Sequence, residues 1–169
     1  MTNLKIKKIT FTALYSALAL IAFYVESLFP PLIIPGAKMG VSNIFILLSV
    51  ITISPIHGFI TLIIKVVLGS LFIGNFSAIL YSLPSGIIAV ILEIIILRYS
   101  KKVSIISTSI CGAVINITLQ NLVFCLITGT VGYLVYLPYL AIIGVVGGTI
   151  TGLTVYLAIK RLPTLPVNI

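Results

Sequence analysis

The 169-residue chain carries a net charge of +8 but holds only two carboxylates, Glu26 and Glu93, at a mean hydropathy of +1.35. Its apolar runs are long enough to cross a hydrocarbon layer and the polar intervals between them are short, which excludes a water-soluble domain. The lysines and arginines form no continuous basic face, so the positive charge does not indicate nucleic acid as a partner.

In chain order the runs predict helices over 9–29, 39–53, 56–73, 77–97, 103–127 and 134–159. They are continuously apolar rather than alternating, which favours helices over a barrel. The expected fold is an all-α polytopic bundle of six transmembrane helices, with residues 1–169 forming one integral membrane domain in contact with lipid. Lys5, Lys7 and Lys8 precede the first run, Arg98, Lys101 and Lys102 lie between the fourth and fifth, and Lys160 and Arg161 follow the last. Six spans with both termini in the cytoplasm place all of these on the inner side of a cell membrane. The opening segment has the outline of a signal peptide, but it lacks a small-residue cleavage site and is followed by more spans, so it is read as retained.

In the first helix, Ala13 and Ala17 make a flat face suited either to internal packing or to a partner helix. Pro30, Pro31, Pro35 and Gly36 then prevent regular helix in an external loop whose Leu32, Ile33 and Ile34 suit it to lean on the bundle. The second run is short for a full crossing. Ser54–Pro55 and Gly74–Asn75 mark the next turns, 98–102 an internal loop, and Thr128, Gly129, Thr130 and Gly132 the last external one. In the sixth helix Gly144, Gly148 and Gly152 point to close packing within the chain.

Candidate chemistry is sparse. Cys111 and Cys125 fall in one helix at no metal or disulfide spacing and are expected to pack, and His57 follows Pro55 at a turn as a polar loop residue. No metal or cofactor site is expected. Lys65 falls mid-run, where an ammonium needs a wet cavity, an acidic ligand or an internal acceptor. A carboxylate partner is the structural rival, although Glu93 lies toward the cytoplasmic end of the fourth helix and Glu26 toward the external end of the first. Lys38 sits by the external entrance. Asn116 and Gln120 share a face of the fifth helix, with Asn121 turned partly away; they could read a ligand or tie helices together. Asn43 and Asn75 add donors and acceptors on the external side, and Tyr81, Tyr133 and Tyr136 serve as interfacial anchors or stacking surfaces. The expected substrate-binding set is therefore Lys38, Asn43, Lys65, Asn75, Tyr81, Asn116 and Gln120, in an externally opened cup.

The segment Pro35–Gly36–Ala37–Lys38–Met39–Gly40–Val41–Ser42–Asn43, with Lys65–Val66–Val67–Leu68–Gly69–Ser70, Tyr81–Ser82–Leu83–Pro84–Ser85–Gly86 and Gly112–Ala113–Val114–Ile115–Asn116, resembles the Gx transporters, also called heptaprenyl diphosphate synthase component I. That family is similar to the substrate-binding S components of energy-coupling factor vitamin transporters. The resemblance implies six helices, an external loop over the substrate that corresponds to residues 30–38, and a partner-binding face at Ala13 and Ala17 for a transmembrane coupling subunit that works with two ATPase subunits. It implies capture of a small cofactor-like molecule, a flavin or another anionic vitamin-like compound; a non-catalytic interaction subunit in a redox or prenyl-lipid pathway is the alternative. Catalysis of prenyl transfer is not expected. The chain has no Asp for a magnesium-bound diphosphate, its two glutamates are expected toward opposite membrane faces, and it has no phosphate-binding loop.

Overall fold

A computed structural model describes residues 2–28, 40–100 and 103–161. Lys38 and the whole predicted external loop, residues 30–38, lie outside the described residues. The described elements are α1 (Thr2–Leu28), α2 (Asn43–Thr52), α3 (Pro55–Ile73), α4 (Ser77–Tyr99), α5 (Ile105–Thr128), a 3-10 turn (Val131–Tyr136) and α6 (Leu137–Arg161), with no strand among them.

Each boundary has a local cause. Pro55 opens α3, where a missing N–H costs nothing. Gly74 ends it at φ 76°, with Gly74 N–H donating to the Leu71 carbonyl and Asn75 N–H to the Ser70 carbonyl. Ser104 caps α5 by accepting from Ser107 N–H. Inside α4, Pro84 interrupts the backbone ladder, and the Ser85 hydroxyl donates to the Tyr81 carbonyl at 2.8 Å.

Helices consecutive in the chain run in alternating directions. Tyr15 meets Thr52 and Glu26 meets Val41, so α1 and α2 are antiparallel; Thr12 meets His57 and Phe23 meets Gly69, so α1 and α3 run side by side in the same sense. Glu93 against Gly112 and Gln120 against Ser82 set α4 and α5 antiparallel. Lys5, Lys7, Lys8, Arg98, Lys160 and Arg161 consequently gather at one end of the bundle, called the basic end below.

Five helices are long and apolar enough to cross a membrane; α2 is not. At 1.5 Å per residue its ten residues rise about 15 Å, half of a hydrocarbon core. The expected second crossing over 39–53 is therefore a half-length helix beginning near mid-depth. From Ile46 to Thr52 every residue is buried, enclosed by α1, α3 and α6. The outer surface instead exposes Leu14, Ile21, Ile63, Ile91, Ile142 and Val146, an apolar periphery suited to lipid.

Lipid tails are as apolar as leucine, so packing rather than hydrophobicity holds such helices together. The seam between α5 and α6 is the tightest case. A Cβ at Gly144, Gly148 or Gly152 would stand 3.0, 2.6 or 2.7 Å from the Cα of Val114, Ile110 or Ile106. These glycines pack within the chain as their spacing predicts.

Ala13 and Ala17 are both exposed, so the internal-packing alternative for that face does not hold among the described residues. Cys125 is buried, its thiol donating to Asn121 Oδ1 at 3.2 Å, whereas Cys111 is exposed on the outer surface. His57 sits in the first turn of α3 rather than in a loop, with Nδ1 3.1 Å from the Thr12 hydroxyl.

Candidate functional site: a polar cavity at mid-depth

An internal cavity of about 30 Å³ opens between five of the helices. Small side chains create it: Gly86 and Ala89 on α4, Gly112 and Ala113 on α5, and Gly147 on α6. Its polar wall comprises Asn43, Glu93, Ser109, Asn116 and Thr151, and Ile46, Leu62 and Val90 supply apolar wall. Counting helix rise from the basic end puts Asn43, Asn116 and Thr151 at about 14–17 Å and Glu93 at about 9 Å. The polar wall thus runs from mid-depth, at Asn43, Asn116 and Thr151, toward the basic end, at Glu93 and Ser109.

Lys65 lies half-way along α3, is only 7% exposed, and donates from Nζ to Asn43 Oδ1 at 2.7 Å. Its ammonium also stands 5.6 Å from the Phe23 ring centroid, within cation–π range. Among the alternatives for this lysine, an internal acceptor is the one in place. Asn43 is a shared element, since it accepts from Lys65 and also lines the cavity. Its depth is that of Lys65, not the external position expected from its place at the start of the second run.

Glu26 completes the same cluster. Its Oε1 accepts from Val41 N–H at 2.8 Å, and its Oε2 accepts from the Ser42 hydroxyl at 3.1 Å. A carboxylate at this point satisfies donors at the α2 N-terminus and complements the positive end of that helix. Lys65 and Glu26 thereby hold adjacent residues of one turn, 41–43.

The remaining candidates separate. Asn116 lines the cavity, and its Oδ1 is buried without a hydrogen-bond partner. Gln120, one turn on, instead donates from Nε2 to the Ser82 hydroxyl at 3.0 Å, tying α5 to α4. Asn121 donates to the Tyr133 carbonyl at 3.4 Å. Asn75 is exposed in the turn before α4, where its Oδ1 accepts from the Ser77 hydroxyl at 2.8 Å. Tyr81 meets Phe124 edge-on at 5.6 Å, and Phe124 meets Tyr133 at 5.3 Å, in an aromatic row toward the end opposite the basic one.

Sequence reasoning missed Glu93 as a cavity residue. It is 9% exposed, and the Gly112 position is free of a Cβ where one would overlap Glu93 Oε1. The available signal was a carboxylate inside an apolar run, the arrangement that marks functional positions in membranes. No group of three or more His, Cys, Asp or Glu that could hold a metal occurs among the described residues.

An apolar-surfaced helical bundle with a polar interior cavity defines a multi-pass membrane protein. The sequence profile of the heptaprenyl diphosphate synthase component I family matches residues 15–157, and the chain belongs to that family. No match to a curated protein or to a solved structure accompanies it.

Proposed function

We propose that the chain is the membrane substrate-capture component of an energy-coupling factor type importer for a small cofactor-like molecule. The observation that carries this reading is the cavity between α2, α3, α4, α5 and α6, whose wall brings together Asn43, Glu93, Ser109, Asn116 and Thr151. A protein that only organised partners would have no need of converging polar groups where each is costly to bury.

In this reading substrate enters from the side opposite the basic end, residues 30–38 cover it, and a coupling subunit bound at the exposed Ala13 and Ala17 moves the bundle so that the cavity opens inward. Energy comes from two ATPase subunits, and the chain itself is not an enzyme. The basic residues at one end support cytoplasmic termini in a cell membrane. Labelling should find Asn3, Tyr99 and Asn168 accessible from inside and Ala37 and Thr130 from outside.

The cavity in this conformation has room for one or two waters, so a flavin-sized ligand requires expansion to several hundred Å³. Metabolite extraction from gently purified protein tests capture directly: a stoichiometric small molecule supports it. The description of the family favours a second reading, a non-catalytic interaction subunit in a prenyl-lipid pathway. A stable enzyme partner, with no ligand and no uptake, would replace the first reading by the second.

A further inference from the structure

We propose that the Glu93 end of the cavity is the seat of a protonated amine, so that the captured molecule is a cationic, N–H-bearing compound rather than an anion. This rests on the substrate-capture reading and names the substrate class of the same cavity.

The first step is the balance of donors and acceptors. Glu93 lines the cavity and is 9% exposed, and it takes part in none of the side-chain hydrogen bonds found among the described residues. Asn116 Oδ1, on the facing helix, is buried and without a partner. The Thr151 hydroxyl is already turned to the Gly40 carbonyl at 3.4 Å, and Asn43 Oδ1 is taken by Lys65. The Glu93 carboxyl and Asn116 Oδ1 are thus acceptors open to a ligand's N–H groups, beside the donors that Asn43, Asn116 and Ser109 also bring to the wall.

The second step is charge. A carboxylate held in a dry bundle gains most from a cation that also donates hydrogen bonds to it. The features that would draw an anion are answered within the protein: the turn at the α2 N-terminus donates from Val41 N–H to Glu26, and Lys65 donates to Asn43 and stands over the Phe23 ring. Size is the third step. A cavity of about 30 Å³ admits an ammonium head, which is close to water in volume, but not a ring. Gly112 keeps the seat open, because a methyl there would occupy the position of the carboxylate.

The probe is methylammonium chloride, added at constant ionic strength to the full chain purified in detergent micelles. At ten times its dissociation constant it should raise the unfolding midpoint by about 3–6 °C. Tetramethylammonium, which has no N–H, and sodium should not do so. Glu93→Gln keeps the shape, removes the charge, and should weaken the methylammonium response at least about ten-fold. An equal response in Glu93→Gln, or an equal response of the wild type to tetramethylammonium or sodium, overturns the proposal; the second comparison needs no variant to fold. A ligand extracted from the wild type that lacks a basic nitrogen also overturns it and leaves capture standing. A stable enzyme partner with no ligand and no uptake, beside an intact methylammonium response, overturns capture and with it the substrate class, and leaves only a cation seat at Glu93.

Discussion

Replacing Gly148 by Ala adds one methyl whose Cβ would lie 2.6 Å from Ile110 Cα, 2.9 Å from the Ser109 carbonyl oxygen and 3.0 Å from Ala113 Cβ. Non-bonded carbons rest at about 3.5–4.0 Å, so α6 must withdraw from α5 by about 1 Å. Two of the three obstructing atoms are backbone and cannot rotate away. Overpacking of this kind costs about 1–3 kcal/mol, against which Ala gains about 1 kcal/mol over Gly in helix propensity. The net loss is about 0–2 kcal/mol. Gly144→Ala meets its nearest atom, Val114 Cα, at 3.0 Å and should lose less. Gly132→Ala meets nothing within 4 Å and should lose nothing by packing. Thermal unfolding of the three variants in micelles gives the ordering, with about 2–4 °C expected per kcal/mol in a chain of this size. If Gly148→Ala is as stable as Gly132→Ala, close backbone approach does not hold α5 to α6.

Glu26→Gln should lower stability by about 1–2 kcal/mol through the loss of a charge-assisted cap on α2, read as the unfolding midpoint; an unchanged midpoint would remove the cap from the account. Lys65→Met strips Asn43 Oδ1 of its donor and Asn116→Leu removes an acceptor from the cavity, and each should weaken binding of a copurifying ligand by about 1–3 kcal/mol. Wild-type affinity in both folded variants would place the site elsewhere. Enlarging Ala13 and Ala17 to Leu should reduce capture of the coupling subunit in a copurification assay while the isolated chain keeps its ligand; joint loss of folding would instead mark the face as structural.

The five long helices were legible because apolar runs of sufficient length have few other solutions, and Pro55, Gly74 and Gly129 mark turns through their own backbone preferences. The half-length α2 was legible only in part, as a run short for a full crossing. Residues 39–53 are as apolar as a lipid-facing span, and hydropathy cannot distinguish burial against protein from burial against lipid. The same limit displaced Asn43, whose depth depends on where α2 begins. Asn116 and Gln120 share a helix face, yet a turn of axial rise is enough to put one in the cavity and the other against Ser82 on α4. Glu93 was read by its distance from the end of its run, but its environment comes from Gly112 on another helix.

The short α2 explains why the interior is polar at all. A helix that begins inside the bilayer presents its first N–H groups where no water can reach them, and they must be answered by protein or ligand. Glu26 answers them from α1, and Lys65 fixes the adjacent Asn43 from α3, so these two charges position the turn at 41–43 rather than attract a substrate. Their effects on stability should consequently be coupled: the double variant Glu26→Gln with Lys65→Met should be less destabilised than the sum of the single variants, because both act on one turn. Asn43 carries that turn to the edge of the cavity, and across the cavity stand Glu93 and Asn116, whose Oδ1 has no partner among the described residues. Under the capture reading, Lys65, whose donor is taken by Asn43, serves to position the turn, and Glu93, which faces the cavity, serves to recognise what enters.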